Sequence, residues 1–129
     1  MAAGTGVVYI EQYAKWEAVF FLYQDANKTI PFDMTGYTNP RMQIRDRANS
    51  DIVIAEPTLT FGEYTDVKNN TFTAIFGKLT AAETGLILAS GQTYQEVSNY
   101  IYDVLVDDPG GEPIRLFNDY AKVSPGVTR

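Results

Sequence analysis

Four acidic residues lie close together in the last third of the chain: Asp103, Asp107, Asp108 and Glu112. Clustered carboxylates are candidate Ca²⁺ ligands, because this hard cation takes several oxygen atoms. Their spacing lacks the ordered acidic positions and the closing bidentate Glu of an EF-hand loop. A Pro-Gly-Gly turn sequence follows Asp108. We therefore interpret the cluster as the solvated end of a hairpin and predict no metal site.

The side chains that dominate proton transfer and nucleophilic attack in enzymes are missing. The 129 residues include no His and no Cys, which excludes a Ser-His-Asp or Cys-His mechanism and any thiolate metal site. Paired carboxylates could serve a glycosidase, but the 16 acidic residues form too many pairs for their spacing to be specific. Neither Gly4–Gly6 nor Pro109–Gly111 has the surroundings of a phosphate-binding loop. We predict no catalytic residue and no cofactor.

Tyrosine is abundant, with nine residues beside seven Phe and one Trp. Exposed aromatic rings could stack on sugars or anchor a protein partner. The alternative is that most of these rings are core or edge residues of a sheet, because single exposed aromatic residues are normal. We favour this second interpretation. The aromatic candidates for a binding face are Tyr9, Tyr13, Trp16, Tyr23, Tyr37, Tyr94, Tyr100 and Tyr102.

Length and charge narrow the classes of partner. A chain of 129 residues is the size of one domain. Its net charge of −6 disfavours contact with nucleic-acid phosphates and with anionic membranes. The N-terminal sequence is not typical of a signal peptide, and the longest apolar run, residues 18–23, is too short to span a bilayer. We predict a protein made in the cytosol, with neither nucleic acid nor membrane as a partner.

Alternation with a period of two predicts short antiparallel strands along most of the chain. In residues 41–45, Met42 and Ile44 are expected to point inward and the polar residues outward. The stretch Tyr13–Tyr23 also alternates, but its second half is apolar on both faces. It is therefore either a central strand or a strand with an outer face that a partner covers. Further strands are predicted over residues 7–10, 29–32, 52–54, 58–61, 71–76, 98–107, 113–117 and 120–123.

One short helix is predicted after residue 80. Thr80 and Glu83 have the spacing of a capping box, and Gly85 weakens the helix, so we expect about two turns that cross between sheets.

About seven to nine short strands without strand-helix-strand alternation are typical of an antiparallel β-sandwich of the immunoglobulin-like class. We predict one mainly β domain over residues 1–129. Residues 1–6 are expected to form a flexible arm and residues 123–129 a C-terminal tail.

Four short features follow one another over nearly the whole chain. Residues 33–37 are Asp-Met-Thr-Gly-Tyr, residues 41–45 are Arg-Met-Gln-Ile-Arg, residues 102–104 are Tyr-Asp-Val, and residues 126–129 are Gly-Val-Thr-Arg. In these features the sequence resembles small structural proteins of tailed bacteriophages with T4-like contractile tails, in which an aromatic-rich strand precedes a D-[LM]-T-G-[YA] turn. The resemblance implies a non-enzymatic virion protein of the tail, baseplate or fibre-attachment region, assembled in the host cytoplasm.

The first of these features also has a physical interpretation. Asp33 can accept hydrogen bonds from amides two or three residues later. Gly36 can adopt a positive φ, and Tyr37 can then pack over the end of the sandwich. Together with Thr35, these residues predict a structural corner between the two sheets.

The terminal segments are the predicted docking elements of such a virion protein. Both contain Gly, and both could order on neighbouring chains or join a partner's sheet. The predicted partners are other virion proteins, within a homo-oligomer or ring in the particle. A capsid decoration or neck protein and a carbohydrate-binding module for a host surface are the alternatives. The candidate interface residues are Val7, Val8, Tyr9, Ile10, Val123, Val127 and Arg129.

Overall fold

The computed structural model describes residues 4–89, 91, 93 and 96–126. Within these ranges the chain forms eight strands and one short helix. The elements are β1 (Val8–Glu11), β2 (Trp16–Phe20), β3 (Thr38–Arg45), β4 (Val53–Ala55), β5 (Thr58–Thr65), β6 (Thr71–Leu79), α1 (Ala81–Gly85), β7 (Ser98–Asp107) and β8 (Pro113–Ser124).

The strands form two sheets, with the orders β1-β8-β7-β3-β4 and β2-β6-β5. Neighbouring strands are antiparallel except for β1, which runs parallel to β8. Variable-type immunoglobulin domains divide their strands in the same way, with B, E and D in one sheet and G, F, C and C′ in the other. The predicted immunoglobulin-like β-sandwich with one short helix is therefore confirmed, and β1 is its parallel exception.

Several strand boundaries differ from the prediction. β5 continues to Thr65, beyond the predicted strand of residues 58–61, because it pairs with β6 along its whole length. β8 is one strand where we predicted two, because Asn118 and Asp119, which lie between the two predicted strands, pair with Asp103 and Tyr102 of β7. A bulge at Leu116 shifts the register: Val104 pairs with Phe117, whereas Leu105 pairs with Arg115. Residues 29–32, predicted as a strand, contribute a bridge from Pro31 to Tyr23.

Aromatic rings join the two sheets at the centre of the core. The ring centroid of Phe20 on β2 lies 6.1 Å from that of Tyr102 on β7 and 5.3 Å from that of Phe117 on β8. All three side chains are buried. Immunoglobulin domains of antibodies link strands B and F with a disulfide. In this chain, which has no Cys, aromatic contacts join the corresponding strands β2 and β7.

The helix α1 lies in the connection between β6 and β7, which belong to different sheets. The Glu83 amide donates to the Thr80 hydroxyl at 3.2 Å, and the Thr80 amide donates to the Glu83 carboxylate at 2.9 Å. The predicted capping box is thus confirmed, although the helix ends after five residues at Gly85. Tyr100 then donates its hydroxyl to the Leu88 carbonyl at 2.5 Å. This contact corresponds to the tyrosine corner of immunoglobulin domains.

Candidate binding surfaces

The predicted corner forms as expected. Asp33 Oδ1 accepts from the Thr35 amide at 3.1 Å and from the Thr35 hydroxyl at 2.8 Å. It also accepts from the Thr73 amide of β6 at 3.3 Å, so the turn is attached to the three-stranded sheet before β3 enters the other sheet. These bonds, led by that from the Thr35 hydroxyl, hold the pKa of Asp33 below its ordinary value. Gly36 has a φ of +89°, and Tyr37 packs edge-on against Phe32 at 5.5 Å.

Two of the predicted interface residues belong to the core instead. Ile10 on β1 and Val123 on β8 pair with each other in the parallel register and are 1% and 0% exposed. They point inward because alternate residues of a strand face opposite sides of its sheet. Val8 shares this inner face, whereas Val7 and Tyr9 are exposed. Val127 and Arg129 lie outside the described residues, as does the aromatic candidate Tyr94.

The predicted N-terminal arm is docked where the structure describes it. The Gly4 amide donates to the Leu116 carbonyl at 2.6 Å, and the Asn118 amide donates to the Gly4 carbonyl at 3.0 Å. Tyr102 donates its hydroxyl to the Gly6 carbonyl. Burial raises the pKa of Tyr102 to about 12, so this donor keeps its proton at neutral pH. Residues 4–6 of the predicted arm therefore contact β7 and β8, and the flexibility of residues 1–6 stays a prediction. Residues 1–3 are outside the described ranges.

The acidic residues of the last hairpin serve its structure. Asp103 pairs with Arg115 and Asp107 pairs with Arg41, each at 3.2 Å. Asp108 accepts from the Glu112 amide across the turn at 2.9 Å. In the part of the chain that the structure describes, no three His, Cys, Asp or Glu side chains come together as metal ligands. In the same part, no helix has the length and apolar composition to cross a bilayer.

Sequence reasoning missed one buried carboxylate, Asp66, in the loop between β5 and β6. Its Oδ2 accepts from the Tyr23 hydroxyl at 2.7 Å, and its Oδ1 accepts from the amides of Lys68 and Asn70 at 3.0 and 2.8 Å. Burial raises the pKa of Asp66, but these hydrogen bonds outweigh it and hold the pKa below its ordinary value. The signal was the Asp followed by two Asn in a polar loop. All these contacts are internal, so we assign Asp66 a structural role.

The outer face of the five-stranded sheet carries an open pocket of about 480 Å³ across β3, β7 and β8. Tyr120 is 54% exposed and lies opposite Ile101. Asn118 and Asp103 form the next outward pair on the same two strands, and Arg115 reaches Asp103. We call these five residues the polar pocket. It was not predicted, because the bulge in β8 decides which of its residues share this face.

The outer face of the three-stranded sheet is apolar and has an open depression of about 600 Å³. Val19 lies opposite Phe76. The ring of Phe76 covers Gly62, because a Cβ atom added to Gly62 would lie 2.9 Å from that ring. β2 is an edge strand of this sheet. The alternative that residues 13–23 form a central strand is therefore wrong. The outward apolar residues of β2 lie on this outer face. Nearby, Phe21 stacks on Tyr64 with centroids 4.9 Å apart. The apolar face consists of Val19, Phe21, Tyr64, Phe72 and Phe76.

Comparison with protein families and with curated proteins finds no match. Among solved structures, the chain is similar to murine CRIg at 10% identity and a TM-score of 0.34, over 93% of this chain and 92% of that one. It is also similar to a chain from a structural study of cell-adhesive interactions of VGSC beta subunits. That likeness has 10% identity and a TM-score of 0.32, over 98% and 96% of the two chains. TM-scores this low support no inference about function. The assignment of an immunoglobulin-like fold rests on the strand order of the two sheets.

Proposed function

We propose that this protein is a non-enzymatic structural component of a bacteriophage virion, placed in the tail, baseplate or fibre-attachment region. The virion assignment derives from the sequence resemblance described above. The observation that supports docking is the apolar face of the three-stranded sheet. Other virion proteins or further copies of this chain are the proposed partners, in a ring or other symmetric assembly. Assembly takes place in the host cytoplasm and needs neither nucleic acid nor a membrane.

The apolar face has the composition of a protein interface. Val19 and Phe76 are half-buried at its centre, whereas the outward residues of β5 beside them, Thr58 and Thr60, are polar. An apolar centre with a polar rim is the usual arrangement of a docking surface. Covering such a centre contributes about 2.5 kcal/mol for each 100 Å² of apolar surface removed from water. Glu17 and Lys78 lie opposite each other at the margin, where charges of both signs favour one orientation of the partner.

The test is the substitution Val19→Glu in phage that carries a tagged copy of the protein. A carboxylate at the centre of a dry interface has no partner there, so we expect at least a tenfold loss of the protein from purified particles. The control is Val67→Glu, because Val67 is 98% exposed in a loop. Circular dichroism of both free variants checks that they fold. Wild-type incorporation of a folded Val19→Glu variant contradicts docking through this face.

A carbohydrate-binding module is the second candidate function, and the polar pocket is the observation that favours it. A carbohydrate-binding surface needs exposed aromatic rings that can stack on sugars, with polar groups beside them. Tyr9 and Tyr120 are 67% and 54% exposed. Both project from the outer face of the five-stranded sheet, since Tyr9 pairs with Lys122, two residues after Tyr120 on β8. Retention on a glycan surface tests this function separately from particle incorporation.

A further inference from the structure

We propose that the polar pocket binds a neutral carbohydrate, with one sugar ring lying over Tyr120 and Ile101 and its hydroxyl groups directed to Asn118, Asp103 and Arg115. This inference deepens the second candidate function and rests on it. It is independent of docking through the apolar face, which belongs to the other sheet.

The register of the strands gives the pocket an apolar row and a polar row. Tyr120 lies opposite Ile101 in the first row, and Asn118 lies opposite Asp103 in the second. Opposite side chains in antiparallel strands have Cβ atoms about 4.5–5.5 Å apart. Successive outward residues of one strand are about 6.5 Å apart. A ligand across both rows therefore meets an apolar strip and a polar strip within the dimensions of one or two sugar rings.

The hydrogen-bonding groups of the second row are only partly used by the protein. Arg115 donates to Asp103 Oδ2 through its Nε, which leaves its two terminal amino groups and Asp103 Oδ1 available. Within the described ranges, the side-chain amide of Asn118 has no hydrogen-bond partner. These groups include both donors and acceptors, as the recognition of a sugar hydroxyl requires. The apolar row suits the C–H groups of a sugar ring.

One wall of the pocket consists of side chains that hydrogen-bond to other residues of the protein. Arg45 Nη2 donates to Gln43 Oε1 at 2.7 Å, and Gln43 Nε2 donates to Glu56 at 3.2 Å. Arg45 also donates to the Ser50 carbonyl. Because these side chains already have hydrogen-bond partners within the protein, we expect them to form the wall of the pocket and not to bind the ligand directly. A preformed wall lowers the entropy cost of binding.

The charges around the pocket indicate a ligand without net charge. Its lining includes two guanidinium groups, Arg45 and Arg115, and two carboxylates, Asp103 and Asp119. These charges balance, so the pocket has no excess positive charge to hold a phosphate or an acidic sugar. The net charge of −6 on the whole chain further disfavours anions. The pocket volume of about 480 Å³ lies within the usual range of small-molecule sites.

The experiment exposes the purified full-length chain to an array of neutral di- to tetrasaccharides together with sialylated and phosphorylated glycans. We expect binding to at least one neutral glycan and none to the charged ones. In titration calorimetry with that glycan, Asn118→Ala and Tyr120→Ala should each weaken binding at least tenfold, whereas Tyr120→Phe, which keeps the ring, should change it less than threefold. Asn27→Ala is the matched control, because Asn27 is exposed in the loop between β2 and β3.

Three results would overturn the proposal: no binding to any neutral glycan, binding restricted to charged glycans, or unchanged affinity in the folded variants Asn118→Ala and Tyr120→Ala. Measuring incorporation into particles distinguishes a failure of glycan binding from a failure of docking through the apolar face. Tyr120→Ala should enter particles like the wild type, whereas Val19→Glu should keep its affinity for the glycan. A failure in one assay therefore leaves the other proposal standing.

Discussion

The substitution Gly36→Ala tests whether the corner depends on a left-handed backbone. Gly36 has a φ of +89°, and a Cβ built there meets Pro109 Cγ at 3.7 Å, an ordinary van der Waals distance. The substitution therefore introduces no clash, and its cost is conformational. Placing Ala in a left-handed conformation costs about 1–2 kcal/mol, and reduced freedom of the unfolded chain offsets about 0.4–1 kcal/mol of this. We expect a net loss of about 0–1.6 kcal/mol in the free energy of unfolding.

Gly6 and Gly111 provide matched controls for this substitution. A Cβ at either position meets nothing within 4 Å, but the φ of Gly111 is +88° whereas that of Gly6 is not positive. Gly6→Ala should be neutral or stabilising by about 0.4–1 kcal/mol, and Gly111→Ala should lose about as much as Gly36→Ala. Urea denaturation measures all three free energies of unfolding. If Gly36→Ala is as stable as Gly6→Ala, the argument from backbone conformation is refuted.

Two further predictions concern single contacts. Tyr100→Phe removes the hydroxyl bond to Leu88 and should lower the free energy of unfolding by about 1 kcal/mol; Tyr120→Phe, with an exposed hydroxyl, is the control, and equal losses in the two variants contradict the corner contact. Asp33→Asn should lower the melting temperature at pH 7. Because the folded-state pKa of Asp33 is below its ordinary value, its contribution is present above the unfolded-state pKa and is lost as the pH falls through the folded-state pKa. The difference from the wild type should therefore shrink below about pH 4, and a constant difference down to pH 3 contradicts this linkage.

Local sequence signals predicted those parts of the fold that neighbouring residues determine. The capping box at Thr80 and Glu83 and the turn at Asp33 and Gly36 each involve contacts within a few residues. The alternation in residues 41–45 likewise placed Met42 in the core. Such features appear directly in the sequence because the partners are adjacent in the chain.

The features that were missed depend on pairing between distant segments. The sequence shows that Ile10 and Val123 are apolar, but it does not show which face of the sheet they occupy. Their parallel pairing in the structure shows that both are core residues. The polar pocket depends on the bulge that places Asn118 and Tyr120 on the outer face of β8. A shift of one residue would turn these side chains toward the other face of the sheet. The sequence pattern alone does not determine such a register.

The positions of the apolar face and the polar pocket lead to a last prediction about their independence. The two sheets pack face to face, about 10 Å apart, so their outer faces point in opposite directions. A copy that docks through Val19 therefore presents Tyr120 to the solvent, and the two side chains share no partner. Effects of substitutions at separated sites usually add within about 0.5 kcal/mol. The double variant Val19→Glu with Tyr120→Ala should thus lose as much glycan affinity as Tyr120→Ala alone, measured by calorimetry on the free protein. A larger loss would mean that the faces are coupled, and the contact of Phe20 with Tyr102 across the core would then be the route to examine.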